Sequence, residues 1–168
     1  AEIDGVPALK KYAEWRGMDA DALLGGALLA ESVVSPLGVK DRLGDLTAIR
    51  HPMNGNDDYT INVGNKVAEG TAVIRMEAGV DELIASVGEG IEKLSAKAPA
   101  PLGALHLVHC GGRRAGIADR IEEVYADMKA AAGDLPFIAE FTFGEYGYED
   151  DGNNTCGGLM LSFTGFAK

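Results

Sequence analysis

Leu102-Gly103-Ala104-Leu105-His106-Leu107-Val108-His109-Cys110-Gly111-Gly112-Arg113-Arg114 is the stretch that decides the fold. An apolar run is bounded upstream by the stiff connector Ala98-Pro99-Ala100-Pro101 and downstream by two adjacent glycines. This pattern predicts a strand over 102–110 and a turn at 111–114. Ile117, Ile121, Val124 and Met128 then recur at helical spacing, and Gly133 suits the left-handed residue just past a helix end. Phe137, Ala139, Phe141 and Phe143 alternate as one face of a following strand. The polar stretch 149–154 precedes a last strand, in which Leu159, Leu161 and Phe163 alternate with Met160, Ser162 and Thr164. These last two strands are expected to form a long-looped hairpin.

Upstream, Val80, Leu83, Ile84, Val87, Ile91 and Leu94 mark an amphipathic helix. Gly88 and Gly90 interrupt it at about 1 kcal/mol each relative to Ala, so tertiary packing must hold it. Residues 36–76 read as short strands at 46–50, 59–63 and 71–76, with turn signals at Asn54-Gly55-Asn56-Asp57-Asp58 and Glu69-Gly70. A short strand ending at Asp4 is followed by a helix opened by Pro7 and stopped by Gly17. A second helix is expected from the cap Asp19 through Leu23, Leu24, Ala27 and Leu28 to Ser35-Pro36. This mixture predicts one α+β domain over 1–168, a largely antiparallel sheet with packed helices.

Composition narrows the function. At 168 residues the chain can bury a substantial core, and 46% apolar with 24% charged residues argues against disorder. A net charge of −11 repels phosphate backbones and anionic lipid, so neither nucleic acid nor membrane is an expected partner. The start, Ala1-Glu2-Ile3-Asp4, has neither Met nor a signal-peptide pattern. The chain is read as part of a longer cytoplasmic protein, with Cys110 and Cys156 as free thiols.

The sharpest chemical feature is the strand-to-helix turn His109-Cys110-Gly111-Gly112-Arg113. Glycines let a backbone approach a ligand, the following helix offers free amides, and Arg113 offers a planar fork for carboxylate or phosphate. The positive surroundings are expected to lower the Cys110 pKa. The alternative is that Cys110 is a small buried hydrophobe and Arg113 caps a surface. A cysteine-phosphatase loop would need Arg where Gly116 stands, and neither a Walker loop nor a dinucleotide fingerprint is present. Glu145, between glycines and aromatics at a strand end, is a second candidate, either as a partly buried carboxylate for a ligand ammonium or as a solvated side chain. The acidic stretch 149–154 fails the calcium-loop pattern, because Leu161 stands where the final Glu belongs. His106 and His109 point to opposite faces of one strand and cannot easily share a metal. Pairing of Cys110 with His51 stays open. No metal or cofactor is expected.

Cys110-Gly111-Gly112-Arg113, Glu122-Glu123, Pro136-Phe137-Ile138, Phe141-Thr142-Phe143-Gly144-Glu145 and Asn154, in that order, resemble the C-terminal domain of FIST-type sensory proteins. Ile3-Asp4-Gly5, Pro7-Ala8, Pro36-Leu37-Gly38, Val67 and Glu69-Gly70 extend the resemblance over essentially the whole chain. Ala139-Glu140 and Thr155-Cys156-Gly157-Gly158 depart from the family's usual pattern. The resemblance implies a bacterial signal-transduction input module that binds a small ligand, with amino acids proposed. It further implies two partners, a signalling output domain and an N-terminal FIST domain in the same chain. The expected ligand-binding residues are Cys110, Gly112, Arg113, Glu145 and Asn154, with Arg113 and the turn amides on a carboxylate and Glu145 on an amine. The expectation is a sensor and not an enzyme. The rival readings are a Cys110-dependent enzyme and a protein-interaction module without a ligand.

Overall fold

The computed structural model describes residues 1–40, 47–148 and 154–168. Strands β1 (Glu2–Ile3) and β2 (Val6–Pro7) form a minimal antiparallel hairpin. Its turn, Asp4-Gly5, has φ of 52° and 75°, the two successive left-handed residues that a tight hairpin requires. The sequence suggested a strand ending at Asp4 but not this return. Helix α1 (Ala8–Arg16) ends at Gly17 in the left-handed conformation, as expected. It buries Leu9, Tyr12 and Ala13, and the Tyr12 hydroxyl donates to the Ser35 carbonyl at 2.8 Å.

The long helix expected from Asp19 does not form. Asp21–Leu23 is a 3-10 turn, and only Ala27–Glu31 (α2) is α-helical. Between them Gly25, at φ 64°, exchanges backbone hydrogen bonds of 2.7 and 3.1 Å with Gly55. Two adjacent glycines weaken a helix, and a backbone partner for Gly25 far along the same chain completes the break.

Five short strands come next: β3 (Leu37–Lys40), β4 (Thr47–Arg50), β5 (Pro52–Gly55), β6 (Ile61–Val63) and β7 (Val73–Arg75). β3 lies between β4 and β7, antiparallel to both, and β5 pairs with β6. Three of these match the expected strands in shortened form. β3 and β5 were not foreseen.

Helix α3 (Val80–Lys97) precedes β8 (Leu102–Cys110), which runs straight into α4 (Gly111–Ile117). The expected turn at 111–114 is therefore the first turn of a helix. Ala118, at φ 55°, ends that helix and opens a 3-10 turn (Ala118–Arg120). The turn leads to α5 (Ile121–Ala132), which ends at Gly133 as expected. Then come β9 (Phe137–Thr142), β10 (Glu145–Tyr148), β11 (Asn154–Gly157) and β12 (Leu161–Ala167). The polar loop 149–153, considered as a calcium site, lies outside the described residues.

The expected hairpin between the last long strands is corrected. β8 is the centre of a three-stranded sheet, with β9 parallel on one side and β12 antiparallel on the other. The α4–α5 segment is a crossover, and a crossover of that length delivers a parallel neighbour. The hairpin in this region is instead β10–β11. All other described strand pairs are antiparallel, so the α+β class holds.

Registered pairs Leu105–Phe137, Leu107–Ala139 and His109–Phe141 share one sheet face. That face, with Leu161 and Phe163, packs in one hydrophobic cluster with α3 and α5 through Val87, Ile91, Val124 and Met128. The glycines of α3 that weaken it as an isolated helix now have a reason. A side chain at Gly90 would collide with the Phe163 ring, and the Gly88 amide donates to the Asp127 carboxylate of α5 at 2.7 Å. A second cluster, Leu9, Tyr12, Leu23, Leu28 and Leu37, gathers beneath α1.

Candidate functional site

Cys110 closes β8 and caps α4. Its sulfur accepts a hydrogen bond from the Gly112 amide at 3.3 Å, so an amide read as an anion holder is already engaged. Gly112 also fixes the close fit: a side chain there would come within 2.8 Å of Leu159 Cδ2 and 3.5 Å of both Cys110 Sγ and His51 Cε1. Its bare backbone thus lets the thiol, the His51 ring and the Leu159 side chain crowd one spot. Leu159 itself has φ 57° and is buried, an uncommon backbone state for a non-glycine residue.

Arg113 is 8% exposed. It does not cap a surface. Its Nη2 donates to the Leu83 carbonyl at 2.7 Å and to Ser86 Oγ at 2.6 Å, tying α4 to α3. Its Nε is buried without a hydrogen-bond partner. Glu145, at the start of β10, is 1% exposed and accepts from Thr142 Oγ1 at 2.9 Å. The solvated alternative for Glu145 is thereby excluded. Burial pulls the Arg113 pKa down, and the nearby Cys110 and Glu145 push it back up. Among the described residues no direct ion pair joins Arg113 to Glu145, although each lies within the other's field.

The thiol corrects an expectation. Burial pushes the Cys110 pKa up and the Glu145 carboxylate adds to the rise, against main-chain hydrogen bonds from Arg113 and Gly112 that lower it. Burial outweighs the positive helix end, so the group is a thiol and not an activated thiolate.

Cys110, Gly112, Arg113 and Glu145 are therefore brought to one place, where β8 meets α4 and β10. Asn154 stands apart. In the β10–β11 ladder Glu145 pairs with Gly157, and Asn154 pairs with Tyr148 at the opposite end. At about 3.3 Å per residue, that places the Asn154 main chain about 10 Å along the ladder from Glu145.

The sequence left a pairing of His51 with Cys110 open, and the structure brings the His51 ring to the same spot as the Cys110 sulfur beside Gly112, whereas Ser86 carried no signal in the sequence. His51 follows β4 and its Nε2–H donates to the Leu29 carbonyl at 3.3 Å. Only its spatial approach to Gly112 recruits it, and no sequence spacing encodes that. His106 and His109 face apart, as expected. His106 Nε2 lies 2.9 Å from Glu140 Oε1 near the surface, and His109 is 1% exposed.

Burial lowers the pKa of both His51 and His109, opposed in each by one backbone hydrogen bond. The unfolded chain, with histidines near pH 6.5, binds protons that the folded chain resists. The resulting stability is fully present above about pH 6.5 and is lost as pH falls through the folded values. Urea midpoints measured from pH 7.5 to 5.5 should fall, and the slope should shrink in His51→Gln.

Among the described residues no group of three or more His, Cys, Asp or Glu is placed to hold a metal ion. No described helix is long and apolar enough to cross a membrane. A search of curated proteins and of solved structures finds no match to this chain. The family model described as the FIST C domain matches residues 8–148, which takes in α1, the whole β8–α4 turn and Glu145. The chain belongs to the FIST C domain family, a family associated with sensory signal transduction.

Proposed function

We propose that this domain is the ligand-sensing part of a cytoplasmic bacterial signalling protein, and that its ligand is a small zwitterion such as an amino acid. The observation that carries the reading is the buried pair of opposite charges, Arg113 and Glu145, that interact through space without a direct ion pair. Buried charges are normally paired, and a molecule carrying one carboxylate and one ammonium would satisfy both. The unpartnered Nε of Arg113 is a donor for the carboxylate, and Glu145 is the acceptor for the ammonium. Cys110 then serves as a wall of the site. The high thiol pKa speaks against its use as a nucleophile, and supports a sensor over an enzyme.

Output passes to a signalling domain or to an N-terminal FIST domain of the same chain. Exposed Ile138, Phe143, Tyr146 and Tyr148 support a protein contact beside the site, with Phe143 98% exposed.

A thermal-shift screen against amino acids and small carboxylates tests the reading. A ligand that binds only the folded chain stabilises it by about 2.7 kcal/mol at a hundred times its Kd. The expected result is a dose-dependent rise in Tm that is lost in Glu145→Gln, which keeps the Thr142 hydrogen bond but not the charge. No rise with any amino acid or carboxylate overturns the amino-acid reading.

A further inference from the structure

A cavity of about 370 Å³ opens between α5 and the β8–β9 edge of the sheet. Leu107, Val124, Met128, Phe137 and Phe141 give it apolar walls, and that volume suits a small organic molecule. Of the polar side chains in its lining, His109, Arg114, Glu122 and Tyr125, His109 is the buried one. His109 is 1% exposed, and its ring meets Phe141 edge-on with centroids 5.3 Å apart. Its Nδ1 lies 3.0 Å from the Cys110 carbonyl. A carbonyl only accepts, so Nδ1 carries the hydrogen. In the neutral ring Nε2 is then a lone-pair acceptor, and it is buried with no hydrogen-bond partner among the described residues. A buried acceptor left unpaired is destabilising, and a ligand that donates to it recovers that loss. Arg114 and Glu122 also line the cavity, and Arg114 is held by its bond to the Ala118 carbonyl at 2.8 Å.

We infer that this cavity is a second binding site, which takes a planar apolar molecule bearing one N–H or O–H donor, of the indole or phenol class, with the donor on His109 Nε2. It does not depend on the Arg113–Glu145 site. Flat apolar walls select the ring, and the buried unpaired acceptor selects the donor, whereas Glu122 and Tyr125 of the same lining are solvent-exposed. A carboxylate or another acceptor at that position would face a lone pair and be rejected.

The test is calorimetric and NMR titration of the intact chain with indole and with 1-methylindole, which keeps the ring and loses the donor. Indole is expected to bind roughly tenfold or more tighter than 1-methylindole. Amide shifts should centre on Leu107, Met128 and Phe137. In His109→Phe the preference for indole should fall to about onefold, since the Nε2 acceptor is removed, along with the Nδ1–H bond to the Cys110 carbonyl. Ala139 lines the cavity and is itself solvent-exposed, so Ala139→Trp should block both probes without disturbing the core. If His109→Phe does not fold, the two probes on the wild type and Ala139→Trp still decide the matter. Equal affinity for the two probes, binding that survives Ala139→Trp, or no binding at millimolar concentration would each overturn the inference.

Discussion

Arg113→Ala should lower the unfolding free energy by about 3–5 kcal/mol, the loss expected when one member of a buried charged network is removed. The guanidinium makes two charge-assisted hydrogen bonds to α3, at 2.7 Å to Leu83 O and 2.6 Å to Ser86 Oγ. Each such bond contributes about 1.5–3 kcal/mol. Removal also leaves the Glu145 carboxylate buried without the cation that faces it. Arg113→Lys should be intermediate, because an ammonium is a point charge and cannot reproduce the planar fork. Ser86→Ala should cost about 1 kcal/mol, as one of the two acceptors survives. Urea unfolding followed by circular dichroism reads all three. A loss below about 1 kcal/mol for Arg113→Ala would mean that the residue is not the strut between α4 and α3.

The second large effect concerns reactivity. Cys110 should resist iodoacetamide in the native state and react on the order of tenfold or more faster once urea unfolds the chain. Two causes act together: the side chain is 6% exposed, and burial with the Glu145 charge holds the thiol protonated. Cys156, partly exposed on β11, is an internal reference in the same sample. Mass spectrometry of the two peptides over time separates the rates. Alkylation of native Cys110 as fast as Cys156 would contradict the buried-thiol account and revive the nucleophile reading.

The parts of the fold legible in the sequence are those governed by local periodicity. The α3 stripe and the β8 run stand where their patterns put them, as do the α5 stripe from Ile121 to Gly133 and the β9 alternation from Phe137 to Phe141; Ile117 instead ends α4, and Phe143 lies past the strand. Pairing was less legible, because it is decided at a distance. Nothing local says that β9 joins β8 in parallel and β12 takes the other side. Likewise Gly25 leaves a helical pattern because Gly55, far along the chain, supplies its hydrogen bonds. The site followed the same division. Cys110, Gly112, Arg113 and Glu145 were found from glycine punctuation and charge placed at strand ends, and they meet. Their electrostatics were read with the wrong sign for Cys110, since sequence shows the neighbouring positive charge but not the burial that outweighs it. His51 could be left open as a partner of Cys110 but not placed, because its approach to Gly112 is made by packing alone.

Joint binding of one zwitterion by Arg113 and Glu145 is open to a direct test. It is tested most directly by calorimetric titration with an amino acid that raises Tm, beside its analogues lacking either the amino or the carboxylate group. Each analogue is expected to bind at least about tenfold more weakly than the amino acid, since each leaves one buried charge unpaired. Glu145→Gln is expected to remove the preference for the amino group alone. Equal binding of the amino acid and the analogue without its amine would contradict joint binding.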